Sequence, residues 1–153
     1  MGQGSVLFPI LSALYFTLFL HIFKKHIKNL KIPISMLLFV DNGLLIAQSK
    51  SFSLSNALLF SSYNIASNLL SKFGLIIEHS KTEIFHFSRS RRMFNPPPLD
   101  LSSFGGLTLH PKNIWKYLGF IFDRNLSFQQ HIDFYANKAM LTVKCMKILR
   151  NST

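Results

Sequence analysis

Acidic side chains are scarce in this chain, six Asp and Glu among 153 residues, so carboxylate chemistry has few places to sit. The best placed is Asp41, in Phe39-Val40-Asp41-Asn42-Gly43, where an Asp-Asn-Gly triplet between two apolar runs predicts the tip of a β-hairpin. A carboxylate at a tight turn can meet a divalent cation; equally, such triplets are ordinary turn residues. His21 and His26 are five apart, not the three or four that share a helix face. His79, His86, His110 and His131 show no metal spacing. Cys145 is the only cysteine and has no disulfide partner within the chain, and no Cys/His nucleophile pattern or Gly-x-Ser-x-Gly elbow accompanies it. Positive charge is what the chain has in plenty: 17 Lys and Arg give a net charge of +11. It gathers at His21 to Lys31, at Lys81 to Arg92, and at Lys138, Lys144, Lys147 and Arg150. Such clusters suit phosphate contacts or an anionic membrane surface, and also occur as plain solvated faces.

The elements that must position these residues follow from periodicity. Pro9 can open a helix, and dense apolar residues through Phe23 predict a largely buried helix ending near Asn29 to Pro33. The run from Ser5 to Phe23 is uncharged, long enough to cross a bilayer and followed by four lysines, so a small basic single-pass membrane protein anchored by residues 5–23 is the alternative reading. Ser35 to Ser49 reads as the hairpin, with Asp41 to Gly43 at its tip. From Ser53 to Lys72, Leu54, Leu58, Ser61, Ile65 and Leu69 recur at helical spacing, with Gly74 as the C-terminal cap. Leu75 to Ser88 alternates as a strand. Pro96, Pro97 and Pro98 rule out regular structure and mark an internal boundary. Segments around Gly105-Gly106 and Trp115 to Phe122 predict further strands. Ser127 begins a last helix, with Ile132, Tyr135, Ala136, Ala139, Val143 and Met146 on a packing side and lysines largely on the other, forming a basic cap. The order predicts an α+β fold in which helices cover one face of the hairpin.

Four of these segments, in this order, resemble the reverse transcriptases of non-LTR, LINE-like retroelements. Gly2-Gln3-Gly4-Ser5-Val6-Leu7-Phe8-Pro9-Ile10-Leu11 is similar to the family's QGS-x-L-x-P-x-L segment, beside the template and incoming nucleotide. Phe39-Val40-Asp41-Asn42 resembles the hairpin that carries an aromatic, a small residue and two aspartates. Lys81-Thr82-Glu83 resembles the lysine segment near the nucleotide phosphates, and Trp115-Lys116-Tyr117-Leu118-Gly119-Phe120 resembles the Y-L-G hairpin that grips the primer.

The resemblance implies a partial polymerase palm over 1–92, a proline-rich connection with primer-grip-like strands over 93–125 and a basic thumb-like helix over 126–153. It assigns Asp41 to catalysis and metal binding, Gln3, Gly4, Ser5 and Lys81 to nucleotide and template, and Tyr117, Leu118 and Gly119 to the primer. The parent reaction is RNA-templated DNA synthesis with Mg²⁺, in which two metal ions activate the primer oxygen and steady the leaving pyrophosphate. Two departures stand out. Asn42 occupies the second aspartate position, where an amide offers a neutral oxygen. The family's first aspartate lies upstream of the QGS segment, so a chain opening at Met1 is expected to lack it. The expectation is an intracellular protein, cytoplasmic or nuclear and not membrane-bound. It would not copy nucleic acid alone, would bind RNA or DNA weakly without sequence preference, and has no specific protein partner implied.

Overall fold

The structure is a computed structural model that describes residues 7–88, 96–104 and 106–151. The chain divides into two compact units, Met1–Thr82 with Pro97–Leu109, and Glu83–Pro96 with His110–Thr153. The described residues form a mixed helix and sheet structure with three small two-stranded antiparallel sheets.

In the first unit, α1 (Phe8–Asn29) has Pro9 in its first turn, where the missing N–H costs nothing. It ends in a Schellman motif: the Ile32 amide donates to the Ile27 carbonyl and the Lys31 amide to the Lys28 carbonyl. That motif places Lys31 at φ 52, a left-handed conformation normally given to glycine. β1 (Ile34–Phe39) and β2 (Asn42–Ala47) form the hairpin, and α2 (Phe52–Lys72) follows. The Ser51 hydroxyl caps the start of α2 by accepting from the Leu54 amide at 3.3 Å. Gly74, at φ 71, ends it in a second Schellman motif, as its position in the sequence predicted.

The core of this unit lies between one face of the hairpin and the two helices. Phe19, Phe23 and Ile27 descend one side of α1 at four-residue intervals and meet Met36 of β1 with Ala66 and Leu69 of α2. Phe19 is fully buried, stacked on Phe23 at 6.1 Å between ring centroids and edge-on to Phe73 at 6.2 Å. The opposite face of the hairpin leaves Leu37, Phe39 and Ile46 exposed. β3 (Leu99–Leu101) and β4 (Leu107–Leu109) pair with each other and bury Leu99, Leu101 and Leu109. Asn56 of α2 donates to the carbonyls of Pro97 and Pro98, both at 3.1 Å, fastening the end of the proline run.

In the second unit, β5 (Ile114–Tyr117) and β6 (Phe120–Asp123) form a hairpin, and α3 (Gln129–Asn151) follows. One face of the hairpin is aromatic: Trp115 stacks on Tyr117 at 4.8 Å and on Phe85 at 5.9 Å. The Asp123 carboxylate organises the turn into α3. It accepts from the amides of Asn125, Ser127 and Phe128 and from the Ser127 hydroxyl, at 2.9 to 3.1 Å.

Five expectations are corrected. α1 is not largely buried, because only its Phe19 side meets the core while Ile10, Leu14 and Leu18 stay exposed. The hairpin turns at Val40 and Asp41, with Asn42 and Gly43 already in β2. A turn at Asn42-Gly43 would set Met36 opposite Ser49; the observed register sets Met36 opposite Leu45, and core pairing outweighs turn propensity. Leu75 to Ser88 is not a strand: a 3₁₀ turn occupies His79–Lys81, and among the described residues only Phe85 makes a bridge, to Lys112. Alternation marks a pleat, but a strand also needs a neighbour along its length. Finally, α3 is not packed along the predicted side: His131 and Tyr135 near its start meet the β5–β6 hairpin, while Ile132, Val143 and Met146 are exposed.

The buried side of α2 is also turned by about one residue from the predicted face, with Asn56, Ser62, Tyr63, Ala66 and Leu69 inward and Leu54 exposed. Apolar and hydroxyl residues surround this helix on all sides, and the polar anchors at Asn56 and Tyr63 set its rotation.

Candidate functional site

Asp41 stands exposed at the second position of a two-residue turn, held out by the β1–β2 pairing beneath it. Its carboxylate accepts from the Asn42 side-chain amide at 3.0 Å. The preceding residue, Val40, has φ 56, a conformation a β-branched residue adopts only under constraint. Gly43 faces Leu38 across the ladder, where an added Cβ would come within 3.2 Å of the leucine Cδ2.

The hairpin tip therefore offers one carboxylate with a neutral amide beside it. Among the described residues, no group of three or more His, Cys, Asp or Glu side chains comes together. Asp41 alone does not make the donor set that a pair of Mg²⁺ ions requires, and a two-metal reaction does not fit these residues.

Lys81 closes the 3₁₀ turn with its side chain exposed and its amide donating to the Glu78 carbonyl at 3.2 Å. The Ser80 hydroxyl, 2.6 Å from Glu78, and the Ser80 amide hold the Glu78 carboxyl below its ordinary range. That carboxylate stays negative near Lys81 and offsets part of the positive charge a phosphate would meet.

Tyr117 ends β5, and Leu118 and Gly119, at φ 48 and φ 87, form the two-residue turn. Both angles are positive, as a type I′ hairpin demands. The Gly119 carbonyl accepts from the Tyr135 hydroxyl at 2.9 Å, which ties the turn to the start of α3. Lys116 lies 5.8 Å from the centre of the Phe134 ring. Leu118 and Phe120 are exposed at the tip, so the hairpin presents apolar and aromatic surface beside a lysine.

Of the predicted site residues, Asp41 and Asn42 are brought into contact, and Tyr117, Leu118 and Gly119 share one turn. Asp41 and Lys81 belong to the first unit and the Y-L-G turn to the second. Gln3, Gly4 and Ser5 lie outside the described residues, as do Arg89, Arg91 and Arg92.

One polar cluster escaped the sequence reading. The buried Tyr63 hydroxyl lies 2.6 Å from His79 Nδ1 and 3.3 Å from the Thr82 hydroxyl, with Phe104 edge-on at 5.2 Å. Burial pushes the Tyr63 phenol up, partly countered by Thr82. Buried tyrosine needs a partner for its hydroxyl, but nothing in the sequence marks partners 16 and 19 residues away.

Comparison with protein-family models, curated proteins and solved structures found no match to this chain.

Proposed function

We propose that this chain corresponds to the C-terminal palm and the start of the thumb of a non-LTR retroelement reverse transcriptase, and that alone it binds nucleic acid without copying it. The observation that carries the reading is Asp41: the aspartate of the Phe-Val-Asp-Asn segment stands at the tip of a hairpin whose other side packs beneath two helices. The constrained backbone at Val40 adds support, since strain of this kind concentrates at functional turns. The exposed far face of the hairpin is what a piece of a wider sheet would present.

Catalysis fails in this reading because Asn42 supplies no charge at the second carboxylate position. Binding survives because phosphate contacts need only positive charge, and Lys81 with Lys138, Lys144 and Lys147 provides it on exposed positions. Primer extension by purified protein with Mg²⁺ or Mn²⁺ is expected at background, and extension above background overturns the non-catalytic reading. Affinity for a single-stranded RNA should fall as salt rises, with little dependence on sequence; an affinity indifferent to salt counts against the binding reading.

The exposed apolar side of α1 favours a second reading, a single-pass anchor over residues 5–23. Spanning a bilayer would pull Phe19 and Phe23 out of the core they share with Met36 and Leu69, which is why the polymerase reading is preferred. Alkaline carbonate extraction separates the two, since only a spanning helix remains in the pellet.

A further inference from the structure

One ridge of α1 has no use in that reading. Ile10, Leu14, Leu18, His21, Lys25 and Lys28 follow one another at spacings of three and four residues, so they form a continuous line along the helix. All six are exposed, and the three apolar members are 59 %, 67 % and 60 % accessible. At 1.5 Å per residue the apolar part is about 12 Å long and the basic part about 10 Å. The opposite side of the same helix holds Phe19, Phe23 and Ile27 in the core, so the ridge is displayed without any loss of fold.

The chemistry of the ridge selects its occupant. A second copy of the chain would bring another net charge of +11 against it, and α1 contains no acidic residue to answer the lysines. A nucleic acid would engage the lysines and leave the leucines in water. An anionic lipid surface supplies both an apolar layer and negative headgroups, in the order the ridge requires.

We infer that α1 seats the protein on an anionic membrane surface, with Ile10, Leu14 and Leu18 entering the acyl boundary and Lys25 and Lys28 meeting headgroup phosphates. The core face stays packed, so the helix lies against the bilayer and does not cross it. Lys24 and Lys31, both exposed near the same end, add to the attraction.

The test is flotation of the full chain with vesicles of phosphatidylcholine alone and of phosphatidylcholine with phosphatidylserine, which leaves aggregates at the bottom of the gradient. Flotation is expected only with phosphatidylserine present, and should fall about tenfold or more in Leu14→Glu/Leu18→Glu and in Lys25→Glu/Lys28→Glu. These positions are exposed, and unchanged circular dichroism confirms that the variants fold. In a Trp115→Phe background, Leu18→Trp provides a readout without charge change: its emission should shift to the blue with anionic vesicles and be quenched by brominated acyl chains. Alkaline carbonate should release the protein. Failure of the native chain to float overturns the inference and leaves an acidic protein as the occupant. Equal flotation of the leucine variants, an unshifted emission from the Leu18→Trp variant or retention after carbonate overturns it as well. None of these outcomes depends on RNA binding, which is measured separately on the same variants.

Discussion

Single residues carry much of the local conformation here, and several do so at a cost. Val40 and Lys31 hold positive φ angles without being glycine. A left-handed conformation costs an ordinary residue about 1–2 kcal/mol, part of which glycine returns through its looser unfolded state. Val40→Gly and Lys31→Gly are each expected to raise the melting temperature, and a fall in both would show that the side chains contribute more than the backbone loses. Asp123 acts in the opposite sense. Desolvation pushes the carboxyl up, but the hydrogen bonds from Ser127, Phe128 and Asn125 together outweigh it and hold the carboxyl below its ordinary value. A lowered carboxyl adds stability that is present above the unfolded value and disappears as the pH falls through the folded one. Trp115, the only tryptophan, reports on the same unit. Its fluorescence transition under denaturant should shift to lower midpoint as acid neutralises Asp123. Asp123→Ala should show the lower midpoint at neutral pH and lose most of that acid dependence.

Elements were legible in proportion to how far their signals are local. The termini of α1 and α2, the strands of the first hairpin and the cap at Gly74 follow from proline, glycine and alternation, all within a few residues, while the β5–β6 hairpin follows only from the Y-L-G resemblance. What periodicity missed was decided by distant partners. The turn at Val40-Asp41 is set by Met36 meeting Leu45, the rotation of α2 by Asn56 and Tyr63, and the fate of Leu75 to Ser88 by the lack of a strand alongside. The candidate site shows the same division. Asp41 falls on a turn, as the Asp-Asn-Gly triplet predicts, and Leu118 and Gly119 on the one that the Y-L-G resemblance implies, whereas Asn42 lies in β2 and nothing in the sequence marks the partners of Tyr63. At this scale Phe19 is the most informative position to change. It is wholly buried among Phe16, Phe23 and Phe73, and Phe19→Ala is expected to cost about 3–5 kcal/mol, a large share of the stability of a small unit. Leu14→Ala, on the exposed ridge a little over one turn away, should change the unfolding midpoint little; a comparable loss there would mean the ridge is covered in solution.

At the scale of the whole molecule, positive charge and exposed apolar surface occur together. A net charge of +11 keeps copies apart in low salt, while α1 and α3 display leucine, isoleucine and methionine to solvent. Raising the salt screens the first effect and leaves the second, so association measured by light scattering should increase with ionic strength. A protein that stays monomeric throughout would indicate that these faces are hidden.

The division of the chain between its two units also has a consequence for biogenesis. Residues 97–109 complete a unit begun at α1, and the stretch 83–96 made before them belongs with residues 110–153. Vectorial synthesis therefore cannot finish one unit before starting the next. The Phe19, Phe23, Met36 and Leu69 core has all its partners once Phe73 is made, but the Asn56 and Tyr63 side of α2 stays open to other nascent chains until Pro97, Pro98 and Phe104 follow. A stop codon after Ser88 would yield a polypeptide containing α1, both strands of the first hairpin and α2, but without the leucines of β3 and β4. Such a product keeps every residue of the Phe19 core but leaves Asn56 without Pro97 and Pro98 and Tyr63 without Phe104, and should unfold at a lower temperature than the full chain.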